Sequence, residues 1–135
     1  IYAYKEQSSF STVDFVKRAI TYFGYVPQTI QTDNGGEFRH TAKTKRVHPL
    51  ELFCQKNGII HKTIRPRTPW HNGKVERSHR SDQERFYNHL RFYSLADLQI
   101  QMKRYLRRSN NIPMSVLGWK SPFLRHLELS SARNI

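Results

Sequence analysis

The stretch Arg65-Pro66-Arg67-Thr68-Pro69-Trp70-His71-Asn72-Gly73 limits the possible folds of this chain more than any other. Each proline removes a backbone donor and pushes the residue before it towards extended conformations, so no regular helix or central strand can run through the segment. Asn72-Gly73 then reads as a turn, and the residues beyond it, Lys74-Val75-Glu76-Arg77-Ser78-His79-Arg80, suit a long helix. Just before Pro66, Ile59-Ile60-His61-Lys62-Thr63-Ile64 is short and rich in β-branched residues, as a strand should be. The chain therefore has to pass from strand through an irregular loop into helix.

The same alternation continues upstream. Thr29-Ile30-Gln31-Thr32 reads as a strand that ends in an acid, Asp33, followed by the turn residues Asn34-Gly35-Gly36. Between the two strands, Pro49 suits a first helical position, Leu50, Phe53 and Cys54 form a short apolar face, and Asn57-Gly58 closes the element. Earlier still, Ser11-Thr12-Val13-Asp14 has the spacing of a capping box. Val13, Val16, Ala19, Ile20 and Phe23 then recur on one helical face before Gly24 ends the run. Ile1-Tyr2-Ala3-Tyr4 alternates like a strand already in progress with no initiator Met, and the chain reads as a fragment. This order of strands and helices predicts an α/β layered domain.

Downstream, Ser94-Leu95-Ala96-Asp97 is a second capping box, with Leu98, Met102, Tyr105 and Leu106 on one face as core or dimer contact. Pro113 interrupts, and a last short helix is expected from near Ser121-Pro122. Trp119 is expected to anchor this tail by packing against the body. The organisation expected is a core over residues 1–109 and a tail over 110–135 packed on it.

Charge narrows the partner. Across 135 residues the net charge is +13, from 23 Lys and Arg against 10 Asp and Glu, which points to a polyanion and to nucleic acid first. An anionic membrane surface competes as a partner, but no stretch is apolar enough for a span and no basic helix shows a broad aromatic face. The single Cys54 excludes an internal disulfide and a multi-cysteine zinc site, fits a reducing cytosol, and reads as a small buried hydrophobe. His61, His71 and His79 gather near the Pro-rich loop without metal-ligand spacing, so they read as DNA contacts or packed polar residues. The segment Arg39 to Arg46 has no periodicity and reads as a basic surface loop, either solvated or touching phosphate.

Two acids stand out against this basic background. Asp33 lies at a strand's carboxyl end, where ligands collect in open α/β sheets, though Asp-Asn-Gly is equally good turn chemistry. Glu37, past the glycines, reads as a solvated loop charge, and Asp14 as a local participant in its capping box. In the helix after Gly73, Val75, Phe86 and Leu90 mark an inward stripe with His79 between them. Glu76, Arg80, Gln83 and Tyr87 form the neighbouring stripe, which sets Glu76 on the border of the core. The plain alternative for Glu76 is an ion pair with Arg80 one turn on.

These residues carry a family resemblance. Gln31-Thr32-Asp33-Asn34-Gly35 and His71-Asn72-Gly73-Lys74-Val75-Glu76-Arg77-Ser78 resemble the catalytic core of the DDE superfamily, the retroviral-type integrases and bacterial insertion-sequence transposases. Leu117-Gly118-Trp119-Lys120-Ser121-Pro122, after Asn110-Asn111, is similar to the tail behind the core in bacterial members. The resemblance spans nearly the whole chain. It implies a ribonuclease H-like fold, a mixed sheet flanked by helices, with the first strands missing here.

The resemblance also implies that three acids hold two Mg²⁺ or Mn²⁺ ions, with Asp33 as the second acid and Glu76 as the third. The first Asp belongs on an earlier strand, and Arg39 to Val47 lengthens the usual interval between the other two. The parent protein would cut DNA beside transposon ends and join the exposed 3′-hydroxyls to a target duplex, in a bacterial cytoplasm close to the nucleoid. A homodimer or larger oligomer is implied, and this fragment alone would be inactive. Lys62, Arg65, Arg67, Asn72, Lys74, Arg77, Arg80 and Gln83 are the expected DNA contacts. Two other functions are open to the sequence: a DNA-binding fragment without catalysis, and a ribonuclease H-like nuclease that hydrolyses without strand transfer.

Overall fold

The structure, a computed structural model, describes residues 1–38, 46–64 and 73–132, without the side chain of Lys74. These residues group into two compact units, one of Tyr4–Asn88 and one of Ile1–Ala3 with His89–Ile135.

In the first unit α1 spans Ser9–Phe23. It begins three residues earlier than its sequence pattern suggests, because Ser8 is the cap. Ser8 Oγ accepts the Ser11 N–H at 3.1 Å, and the Thr12 N–H reaches the Ser8 carbonyl at 3.0 Å. Asp14 thus has no duty in the first turn. Gly24 ends the helix at φ 74°, a left-handed conformation that a glycine adopts without strain, and its N–H closes on the Ile20 carbonyl.

β1 (Thr29–Thr32) and β2 (Ile60–Thr63) pair in parallel, with Thr29 opposite Ile60 and Thr32 opposite Thr63. A parallel pair needs a crossover, and α2 (Pro49–Lys56) lies within it. Its cap is His48, whose Nδ1 accepts the Leu50 N–H at 3.2 Å while Nε2 stands 3.0 Å from Ser9 Oγ. The ring proton therefore sits on Nε2, and this buried imidazole joins the start of α1 to the start of α2. Val16, Leu50, Cys54 and Ile59 form the buried core, with Val13, Ile20, Ile30, Phe38 and Phe53 packed around it. Burial raises the Cys54 thiol pKa, as expected of an inert packed cysteine.

Two expectations are corrected here. Ile1-Tyr2-Ala3-Tyr4 pairs with no strand, and among the described residues the sheet is the parallel pair β1-β2. The Ala3 carbonyl is taken instead by the Gln99 side-chain amide at 3.2 Å. The helix after the Pro-rich loop, α3 (Gly73–Arg85), is also shorter than its pattern. It gives way to a 3-10 turn at Tyr87–His89, where aromatic, Asn and His residues are weaker helix formers. Val75 is 51% exposed, so the apolar stripe begins on the solvent side, and Leu90 lies beyond the helix.

In the second unit α4 (Leu95–Asn111) starts from the expected box, with Ser94 Oγ accepting the Asp97 N–H at 3.1 Å. Met102 is its buried residue, and α4 packs on α5 (Pro122–Ser131), which Ser121 caps. Trp119 does not anchor the tail. It is 75% exposed, because the turn through Gly118 and Trp119 is left-handed at both residues and carries the indole outward.

Candidate active site

Asp33 follows directly on β1 and is exposed. Its Oδ1 accepts the Gly35 N–H at 2.9 Å, so it does make the local turn that its sequence neighbours suggest. That contact leaves Oδ2 outside the turn. The neighbouring Asn34 donates from Nδ2 to the Ile64 carbonyl at 3.0 Å, and the Ile64 N–H reaches the Thr32 carbonyl at 2.9 Å. The ends of β1 and β2 are thus laced together around the acid. The Glu37 carboxylate, which accepts a bond from Gln7, lies against Gly35, and a Cβ there would have to displace it.

A polar clasp lies beneath this strand end. Thr32 Oγ1 donates to the Asp33 carbonyl at 3.0 Å and stands 2.9 Å from His61 Nε2. The other ring nitrogen of His61 faces Glu51 Oε2 of α2 at 3.3 Å. His61 is therefore a packed polar residue that holds β1, β2 and α2 in register. Neither Thr32 nor Glu51 is identifiable as a support from the sequence. The available signal was the period-two alternation of β2, which turns His61 inward and Lys62 outward.

Glu76 lies in the first turn of α3, where a carboxylate faces the positive end of the helix dipole. It is exposed, and among the described residues it forms no ion pair with Arg80. Gly73, Glu76, Arg77 and Arg80 line a recess of about 190 Å³. Arg77 and Arg80 are exposed beside the acid, as the sequence pattern anticipates, and so is Lys62 on the outer face of β2. Gln83 differs, because its amide donates to Asn88 Oδ1 at 2.7 Å and fastens the end of α3 to the turn that follows. Arg65, Arg67, Asn72 and the basic loop Arg39–Lys45 lie outside the described residues, as does the side chain of Lys74.

Asp33 and Glu76 thus come from a strand end and a helix start within one unit. Among the described residues no group of three or more His, Cys, Asp or Glu side chains is placed to share one ion. Asp14 is not a third acid in waiting. Tyr4 and Arg18 each donate to its Oδ2 at 2.6 Å and hold its pKa below the ordinary carboxylate value. His79 is exposed on α3, and among the described residues it joins no metal-binding group and no helix is long and apolar enough to cross a membrane.

Two family models described as Integrase core domain match the chain, one over residues 1–69 and the other over residues 57–122. A putative integrase ORF3 of Spiroplasma virus SpV1-C74 is 32% identical over 114 residues, covering 77% of this chain and 31% of that protein. The retrovirus-related Pol polyprotein from transposon TNT 1-94 of Nicotiana tabacum is 34% identical over 91 residues, 64% of this chain and 6% of that protein. The chain therefore spans less than a third of the length of either relative. Among solved structures, the catalytic core domain of BIV integrase superposes with a TM-score of 0.67 at 21% identity, over 98% of this chain and 79% of that one. The shared fold is α/β and ribonuclease H-like.

Proposed function

This chain belongs to the integrase core domain family, and we propose that it is part of a DNA-cutting and strand-transferring catalytic core in which Asp33 and Glu76 hold divalent metal. One observation carries the reading: both carboxylates are exposed at the ends of their elements, and neither is engaged in an ion pair among the described residues. Glu6, Glu37, Glu84 and Asp97 also lack an Arg or Lys partner among the described residues, so the weight falls on position: the carboxyl end of β1 for Asp33 and the first turn of α3 for Glu76.

The donors fit a hard cation, since both groups offer carboxylate oxygen and Asp33 keeps Oδ2 outside its turn. Bound Mg²⁺ or Mn²⁺ would supply charge stabilisation at phosphorus and activation of the attacking hydroxyl or water. The chain's own residues do the positioning. The Thr32–His61–Glu51 clasp and the Asn34–Ile64 bond fix where the strand carrying Asp33 ends. Arg77 and Arg80, beside Glu76 on α3, neutralise the phosphates of an approaching DNA strand, and Lys62 adds charge from the sheet. Transposon ends and a target duplex are the substrates, and assembly of more than one copy accompanies them.

The reading requires a third carboxylate, which the described residues do not supply: no group of three such side chains forms among them, and Asp14 is committed to Tyr4 and Arg18. The chain alone then binds DNA without cutting it. The test joins the chain to its parent's upstream segment and measures Mg²⁺- or Mn²⁺-dependent nicking of donor DNA. Nicking that disappears in Asp33→Asn and in Glu76→Gln supports the assignment, and nicking that survives either substitution removes it. Joined product on an added target duplex separates strand transfer from simple hydrolysis. DNA binding with no nicking even after restoration would favour the binding-only alternative.

A further inference from the structure

α4 presents Lys103, Arg104, Arg107 and Arg108 to solvent, and the nucleic-acid contacts assigned above use none of them. At about 100° per residue the four fall within one arc of roughly 140°, on the side of the helix opposite Met102, Tyr105 and Leu106. Among the described residues none of the four forms an ion pair.

Acids that could neutralise them are missing locally. No Asp or Glu occurs from Gln99 to Asn111. Asp97, nearer the start of the helix, accepts from the Tyr93 N–H at 3.2 Å and the Gln101 amide at 3.1 Å. Glu128 of α5 is held by Lys120 and Arg125. Lys103 with Arg107, and Arg104 with Arg108, are therefore like-charged pairs one turn apart, each mildly destabilising the free helix. A polyanion laid along this face removes that repulsion.

The chemistry selects a duplex over a membrane. A basic helix that lies in a lipid interface has to bury its apolar face among acyl chains, but α4 has Met102 buried and Leu98, Tyr105 and Leu106 partly buried, and it packs on α5. What remains accessible on this face is two pairs of long cationic arms, Lys103 with Arg104 and Arg107 with Arg108, about 6 Å apart along the axis, with Ile100 exposed beside them. That suits a phosphate backbone, whose charges recur about every 3.4 Å along each strand.

We propose that this face of α4 is a separate phosphate-binding surface that grips the backbone of duplex DNA without reading its sequence. It does not depend on metal or on Asp33 and Glu76, so its failure would leave the catalytic reading untouched, and failure of that reading would leave this one standing.

The test is fluorescence anisotropy of a labelled duplex with the full chain in EDTA across a salt series. The variant combines Lys103→Gln, Arg104→Gln, Arg107→Gln and Arg108→Gln, chosen because Gln keeps helix propensity. A second variant carries Arg104→Lys, Arg107→Lys and Arg108→Lys, and circular dichroism checks the fold of both. The expected result is a slope of log affinity against log salt that is shallower by about 3–4 in the Gln variant and unchanged in the Lys variant. A wild-type slope in the Gln variant overturns the proposal. So does loss of binding to phosphatidylserine vesicles alone, with duplex binding intact.

Discussion

His61 Nε2 lies 2.9 Å from the Thr32 hydroxyl, so a ring on β2 is tied to the residue just before Asp33 on β1. The His61 side chain is only 4% exposed, and its other nitrogen faces Glu51. Replacing His61 with Leu removes both contacts and leaves the inward Thr32 hydroxyl with one partner fewer. The expected cost is about 1–3 kcal/mol in urea unfolding. Glu51→Gln should cost less than about 1 kcal/mol, because the Glu51 side chain is 45% exposed. If His61→Leu unfolds at the wild-type midpoint, the clasp holds nothing.

Asp33 combines a turn and a candidate ligand, and the two roles can be separated. Asn at position 33 keeps an oxygen to accept the Gly35 N–H but carries no charge for a cation. Asp33→Asn should therefore stay within about 0.5 kcal/mol of wild-type stability while Mn²⁺ broadening of nearby amide resonances disappears. Asp33→Ala should lose both, with the fold weakened by about 0.5–1.5 kcal/mol. Equal Mn²⁺ broadening in Asp33→Asn and wild type would exclude Asp33 as a ligand.

The Tyr4–Asp14 bond sets a pH window. Burial first, and then the Asp14 bond and charge, push the Tyr4 phenol up to about 12. The Tyr4 and Arg18 hydrogen bonds hold Asp14 below the ordinary carboxylate range. A lowered acid stabilises the fold above its unfolded value, and that contribution is lost as pH falls through the folded one. A raised phenol stabilises below about 10, and that contribution fades as pH rises towards about 12. Tyr4→Phe should flatten stability at both extremes and move Asp14 part of the way back towards its ordinary range, with Arg18 still in place. Carbon-detected NMR titration of the Asp14 carboxyl reads this directly, and an unmoved Asp14 would show that Arg18 alone sets it.

What was legible in the sequence is what local chemistry decides. The Ser94 cap, the Asn57-Gly58 stop, the strand ending at Asp33 and the first-turn place of Glu76 all follow from short-range rules. The start of α1 differs from its sequence pattern because several serines compete there, and the bonds from the Ser11 N–H to Ser8 Oγ and from the Thr12 N–H to the Ser8 carbonyl select the cap. Val75 and Trp119 were misjudged for a different reason. Periodicity and size give a side chain a reason to be buried but cannot supply the surface that would cover it. The Thr32–His61–Glu51 clasp depends on the parallel register of two strands and a helix that are remote in sequence. Inward alternation of His61 hinted at one member only.

Trp119 gives the sharpest test of that lesson. Its φ is 61°, in the left-handed region that costs a non-glycine residue about 1–2 kcal/mol, and it is 75% exposed, so little burial offsets the strain. Its backbone still matters, because the Trp119 N–H reaches the Met114 carbonyl at 3.0 Å and Met114 pairs with Lys120 across the turn. Asn tolerates the left-handed conformation and keeps that N–H. Trp119→Asn should therefore raise stability by about 0.5–1.5 kcal/mol in urea unfolding. Gly should raise it less, since its greater freedom in the unfolded chain offsets part of the gain. The fluorescence lost in Trp119→Asn should be red-shifted, as for an indole in water. A destabilised Asn variant that loses blue-shifted emission would mean that the indole is packed after all, and the anchoring role inferred from sequence would be restored.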